Sequence, residues 1–264
     1  MAKEFGKRIT KNMKEEYLSS LKVKVDWQSL TTDEIDLVLE ARIRMYQESV
    51  KENGHEAVRE GYVLERIASI HNLRKADSLA QDGKVKINRY IRRHNLRKEE
   101  DLRALQMMIL TLTFPEPEYT SDEIKSDAGK VRQIVKQKYF PWRILHYAIM
   151  LVIGPRLYRH LIYDTFACIK GKGLHFGVKR MKMFLRRYPK YRYVVKTDFK
   201  KFYQSIPHMS IEKAMRKRFK DENFIRLLHV ALFTYDSGEE LIKILEDETA
   251  RKKRSTHWGF HKSA

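Results

Sequence analysis

The chain has 264 residues, 42% of them apolar, enough for a substantial core in one large domain or two modest ones, which excludes wholesale disorder. Lys and Arg total 54 against 34 Asp and Glu, a net charge of +20 with pI ≈ 9.8. That excess implies a polyanionic partner, nucleic acid ahead of an anionic membrane. The single cysteine, Cys168, excludes internal disulfides and cysteine-based zinc or iron–sulfur sites, and it suits a reducing compartment.

Residues 1 to about 25 are basic and weakly patterned, and read as a loosely ordered arm or an accessory helix without the apolar core of a signal peptide. From Thr31, TTDEIDLVLEARIRMYQESV predicts an amphipathic helix. Thr31 and Glu34 have capping-box spacing, and Gly54 marks the end. YVLERIASIHNLRKADSLAQDGK (62–84) predicts helix up to an Asp82–Gly83 turn, and KEEDLRALQMMILTL (98–112) a second helix, acidic at its start. Two prolines in FPEPEYT break it, and GKVRQIVKQKYF (129–140) has the β-branched character of a strand or hairpin.

The helix expected over RILHYAIMLVIGPRLYRHLI is interrupted near Gly154–Pro155, because proline cannot donate in the helical ladder. Its apolar centre, AIMLVIG (148–154), is too short to span a bilayer, so a soluble cytoplasmic protein without membrane partners is expected. KGKGLHFGVKRMKMFLRRY carries a Gly-rich basic turn into a basic helix, and Cys168, in TFACI, reads as a buried small hydrophobe. YRYVVKTDF switches to strand character; SIEKAMRKRF starts a helix with Ser210 as N-cap, and NFIRLLHVALF continues at helical spacing. The order predicts an α+β fold, mostly helical, with too few strands for a complete sheet.

Strand alternation in YVVKTDF places Val194, Lys196 and Asp198 on one face. A carboxylate at the exit of such a strand suits Mg²⁺, which takes oxygen ligands and often only one or two carboxylates beside substrate phosphates. The plainer reading of Asp198 is a residue that caps a turn.

The run IYDTFACIKGKGLHFGVKRMKMFLRRYPKYRYVVKTDFKKFYQSIPH (162–208) resembles the reverse transcriptase family, and within it the enzymes of diversity-generating retroelements, ahead of group II intron and retron enzymes. The matching elements are FAC-x-x-GKG-x-H, the basic helix after it, and strand–D-x-x-x-[FY]-[FY]-x-S-I-x-H. Upstream, NLRKADSLAQDGK and GKVRQI followed by FPWRILHYAI resemble the family's entry segment and first fingers motif. The likeness covers about residues 62 to 235. It implies a right-hand polymerase with a basic helical extension (1–61), fingers with a short β hairpin (62–192), and a partial palm with an incomplete antiparallel sheet (193–264).

By the same resemblance, Asp198 is the first catalytic, metal-binding aspartate, with the Phe199 carbonyl as a backbone ligand for Mg²⁺. Tyr203 is the aromatic under the nucleotide sugar, and the backbone at Lys201 and Phe202 faces the triphosphate; ordinary core packing is the alternative for Tyr203. Lys130 and Arg132 match the positions that clamp an incoming dNTP, or else are solvated residues on an exposed hairpin. Lys170, Lys172, Lys179, Arg180, Lys182, Arg186 and Arg187, interleaved with Phe176, Phe184 and Tyr188, match the template-binding tract, or else form a merely solvated basic helix.

The family's second acidic cluster, an aromatic–x–Asp–Asp hairpin, has no counterpart here, since the chain has no adjacent Asp–Asp pair. YDSGEE (235–240) and LEDET (245–249) read as solvated turns, and Gly259 and Ser263 have the spacing of the motif that precedes that hairpin. The expectation is an RNA-directed DNA polymerase represented by its N-terminal part and inactive alone. The alternatives are a non-catalytic RNA- or DNA-binding relic and one half of a split reverse transcriptase. The implied partners are an RNA template, a DNA or RNA primer, dNTP, a small basic accessory protein, and a second chain carrying the rest of the palm and thumb. Loss of that half predicts an exposed sheet edge and apolar face.

Overall fold

The computed structural model describes residues 25–53, 61–83, 88–125, 129, 131–190, 193–199, 202 and 206–232, which divide into two compact units. One runs to Val152 and resumes at Met215; the other holds Ile153 to Ala214. The described residues are mostly helical, with a small antiparallel sheet.

The first unit is built around α1 (Thr32–Asn53), α2 (Val63–Ala68), α3 (Ile70–Gln81), α4 (Arg89–Asn95) and α5 (Lys98–Thr111). The expected capping box forms at α1: the Thr31 N–H and hydroxyl each donate to Glu34 Oε2 at 2.8 Å, and Glu34 N–H donates back to Thr31 Oγ1 at 3.4 Å. Those bonds hold the Glu34 carboxyl below its ordinary pKa. Leu102, Leu105, Ile109 and Leu110 recur at helical spacing and bury one side of α5 against α2 and α3. Each fully buried Leu or Ile contributes on the order of 1.5–3 kcal/mol.

The single helix expected over 62–84 is two. Ser69 adopts φ −55, ψ 129 between α2 and α3, and the break lets the short α2 bury almost all round, from Val63 to Ala68. Helix α4 has no counterpart among the expected elements; its basic, weakly periodic sequence anchors only through Ile91 and His94.

β1 (Tyr119–Lys125) and β2 (Val131–Gln137) pair antiparallel, Tyr119 opposite Gln137 and Lys125 opposite Val131. This is the expected hairpin, although its first strand, YTSDEIK, is too polar to announce itself. The turn Tyr139–Arg143, with a cis Phe140–Pro141 bond, leads into α6 (Ile144–Arg159), which continues into the second unit. No interruption occurs at Gly154–Pro155. Pro155 removes one donor near the end of a helix that Ile144, Leu145, Ala148 and Ile149 already anchor by burial.

α9 (Glu222–Leu232) completes the first unit against α2. Asp221 ties the two together, because its Oδ1 accepts from the N–H groups of Asn223 and Phe224, both at 3.1 Å. Its Oδ2 accepts from Val63 and Leu64 at 2.7 and 2.9 Å. One carboxylate thus caps the N-termini of two helices, reaching Val63 and Leu64 from 158 and 157 residues away in the chain. Asp221→Ala is expected to lower stability by about 2–4 kcal/mol, twice a single cap, as read by urea unfolding. Asp221→Asn, which keeps the acceptor oxygen, should recover part of the loss.

A buried polar network joins α3, α4, α5 and the turn. Asp77 is fully buried and accepts from Gln81 Nε2 at 2.9 Å, from Lys98 Nζ at 2.6 Å and from the Tyr139 hydroxyl. His94 Nδ1 lies 2.7 Å from Asp101 Oδ2, and its Nε2 sits 3.2 Å from Asp77 Oδ1 without hydrogen-bond alignment. Burial opposes charge on Asp77, but the nearby His94 ring and the donors from Lys98, Tyr139 and Gln81 outweigh it and hold the carboxyl far below its usual range. Burial likewise opposes the imidazolium, yet Asp77 and Asp101 together raise the His94 pKa. Tyr139 is pushed well above the ordinary phenol range by burial and by Asp77.

In the second unit α7 (Leu174–Arg187) forms as expected, and α8 (His208–Arg216) follows. α8 starts two residues before Ser210, which lies within the helix and donates its N–H to the Pro207 carbonyl at 2.9 Å. Residues 193–199 form no strand, contrary to the palm-sheet expectation. β-branched composition favours a strand only where a neighbouring edge accepts its backbone groups, and the only ladder among the described residues is β1–β2. Tyr193, Val194, Val195 and Phe199 are all exposed. Cys168 is exposed, not buried, because it occupies a left-handed turn position with φ 58. No helix among the described residues is long and apolar enough to cross a membrane.

Candidate nucleic-acid interface

The segment between α6 and α7 is held to α7 by aromatic and ionic contacts. Phe166 packs beside Phe176 with ring centroids 5.8 Å apart, and Tyr163 meets Phe176 edge-on at 6.2 Å. Gly177 lets the Phe166 ring lie against the helix: a Cβ there would meet that ring at 3.1 Å. Asp164 grips Arg180 in a fork, with Oδ1 accepting from Nε at 2.6 Å and Oδ2 from an Nη at 3.0 Å. The Arg180 guanidinium lies 4.9 Å from the ring centres of both Tyr163 and Phe184. Its hydrogen bonds hold the Asp164 carboxyl below the usual carboxylate pKa.

Sequence reasoning assigned Arg180 to template phosphates without seeing Asp164 or Tyr163. No spacing rule links positions 16 apart across a turn, so only the tertiary contact shows the pair. Lys172 is engaged as well: its Nζ donates to the Tyr163 carbonyl and lies 4.5 Å from the centre of that ring. Lys170, Lys179, Lys182, Arg186 and Arg187 are exposed. Arg187 lies over Tyr188, whose ring stacks near Phe184. The outcome is a concave surface lined by Tyr163, Phe176, Lys179, Arg180, Met183 and Arg187, with aromatic planes among cations.

The Gly-rich turn leading into α7 keeps its backbone accessible. Gly171 has φ 79, a value that favours glycine, and Lys172 N–H bonds the Ile169 carbonyl at 3.0 Å. Gly173 is extended, φ 174, and a Cβ there would meet nothing within 4 Å. Among the described residues no contact requires glycine at 173, which leaves room for a phosphate backbone to approach.

Asp198 lies in the exposed segment 193–199, beside Phe199, whose ring centroid is 6.0 Å from that of Phe202. Among the described residues no group of three His, Cys, Asp or Glu side chains is arranged to hold a metal ion. Arg132 is placed on β2 opposite Ile124 by its backbone; Lys130, Lys201 and Tyr203 lie outside the described residues, as do YDSGEE, LEDET, Gly259 and Ser263. The structure therefore describes the basic tract, and of the nucleotide-binding set only Phe202 and the backbone of Arg132.

The two surfaces differ in what they can do. The turn and α7 offer cations, aromatic planes and an open backbone, which suit a phosphodiester chain with unstacked bases. Around Asp198 the described residues include exposed aromatics, Tyr193, Phe199 and Phe202. No protein-family model matches the chain, and no curated protein matches it.

Proposed function

We propose that the chain is the fingers and first part of the palm of an RNA-directed DNA polymerase of a retroelement, and that its own activity is binding of single-stranded RNA or DNA. The observation that carries this reading is the turn-and-α7 surface, where the residues of FAC-x-x-GKG-x-H supply open backbone, exposed cations and aromatic planes together. Phosphates are met by Lys170, Lys179, Lys182, Arg186 and Arg187. Arg180 and Lys172 work differently: bound to Asp164 and to the Tyr163 carbonyl, they shape an aromatic platform on which a base can stack.

In this proposal Asp198 and the Phe199 carbonyl hold Mg²⁺ in the assembled polymerase, with Lys130, Arg132 and the backbone at Lys201 and Phe202 on the dNTP triphosphate and Tyr203 under the sugar. The remaining carboxylates must come from residues outside these 264, since the chain has no adjacent Asp pair. That lone carboxylate favours a split polymerase, completed by a second chain, as the alternative arrangement.

The test is a salt titration of binding to a fluorescent single-stranded RNA. The logarithm of affinity should fall linearly with the logarithm of salt, with a slope near −0.7 for each phosphate neutralised. Flat affinity from low to high salt would remove the nucleic-acid reading. A second expectation is that the chain alone, given Mg²⁺, primed template and dNTPs, makes no detectable extension product. Robust extension abolished by Asp198→Ala would overturn it.

A further inference from the structure

Helix α7 has two sides, and only one is explained by the surface described above. Phe176, Arg180, Met183 and Phe184 turn toward Tyr163 and Phe166 or line the basic concavity. On the remaining side Leu174, Val178, Met181 and Leu185 follow one another at steps of four, three and four residues, with Val178 also bordering the concavity. At 100° per residue they fall within about 60° of arc, a single narrow seam. All four are exposed, at 79%, 44%, 50% and 53% of their surface, and α7 has no buried residue anywhere.

A row of four large apolar side chains on a 14-residue helix is costly to leave in water, and its spacing is that of a helix–helix seam. The edge of the seam carries His175, Lys182 and Arg186, and the whole helix has five Lys or Arg and no Asp or Glu. Two such helices facing each other would oppose like charges, which disfavours a second copy of this chain as the occupant. Nucleic acid gains little from Leu, Val and Met. The occupant that satisfies both the seam and its edge is a helix with its own apolar stripe and carboxylates beside it.

We propose that the outer seam of α7, Leu174–Val178–Met181–Leu185, is a docking site for an acidic amphipathic helix of a partner protein, which pairs its carboxylates with Lys182 and Arg186. The seam excludes Tyr163 and Arg180, borders the basic concavity at Val178, shares Lys182 and Arg186 with the phosphate-binding set, and does not depend on polymerase chemistry.

The experiment uses the full chain and three synthetic peptides, read by fluorescence anisotropy at 150 mM salt. The first is a 21-residue helix with Leu and Ile at a and d and Glu at e and g. The second keeps the seam but carries Lys at e and g. The third keeps the acidic composition and scrambles the apolar positions. Binding of the first at least tenfold tighter than either control supports the site, as does a tenfold or greater loss in Met181→Ser/Leu185→Ser. Both side chains are exposed, so the far-ultraviolet spectrum and melting temperature of that variant should match the parent, and its RNA affinity should not change. Equal binding of the acidic and scrambled peptides would reduce the effect to general attraction by a basic chain and overturn the proposal. It would be overturned equally if the double variant instead abolished binding to anionic phosphatidylserine vesicles or self-association in sedimentation while leaving peptide affinity intact.

Discussion

Asp77→Ala lowers the stability of the chain by about 3–5 kcal/mol, because it removes a fully buried carboxylate and leaves the buried His94 ring, the Lys98 ammonium and the Tyr139 hydroxyl without it. Asp77 is fully buried and His94 nearly so, and the remaining carboxylate, Asp101, meets only the other ring nitrogen. Trp142 is buried in the same unit, so urea unfolding followed by tryptophan fluorescence reads the loss. A change below about 1 kcal/mol would show that the network contributes no more than an exposed pair.

The same network gives stability a defined pH dependence. His94 has a folded pKa above its ordinary 6.5, so its contribution is complete below that value and is lost as pH rises through the folded pKa. Asp77 runs the opposite way: its folded pKa lies below the ordinary 3.8, so its contribution is complete above 3.8 and is lost as pH falls through the folded pKa. Stability should therefore be greatest between about pH 4 and 6.5 with respect to these two groups. In His94→Gln the decline above pH 6.5 should flatten, and an unchanged slope would assign it to other groups.

The second large effect concerns the basic face. Neutralising Lys179, Lys182 and Arg186 together with alanine should reduce the magnitude of the salt slope for single-stranded RNA by about 2, from three lost contacts at about 0.7 each. All three are exposed, so the melting temperature should hold. Asp164→Ala should act differently. It frees Arg180 from its fork and removes one anion from the surface, so the salt slope should stay level or steepen while discrimination between a purine-rich strand and an abasic strand falls. A parallel loss of affinity for both strands would place Arg180 on phosphate and not in the aromatic platform.

Local patterns in both units were legible in the sequence. The Thr31–Glu34 box, the acidic start of α5 and the basic helix after the Gly-rich turn form as read, since each depends on residues three or four apart. The failures share a cause. The break at Ser69, the uninterrupted passage of α6 through Pro155 and the absence of a strand over 193–199 were each decided by packing, or by whether a partner edge existed. Local propensity carries no information about either.

The candidate interface divides the same way. Net charge, the glycines and the run of Lys and Arg were visible in composition and order, and they are sufficient to expect a polyanionic partner. Which cations are free to meet it was not visible, because Asp164 and Tyr163 reach Arg180 only after the turn closes. Asp221 is the sharpest case: a lone Asp before a helix reads as one cap, and its second task at Val63 exists only in three dimensions. The one-dimensional pattern determined which elements could form and what charge they carry. Tertiary contact decided which charges are spent inside the fold, because an ion pair or a shared cap depends on distance in space and not on separation in the chain.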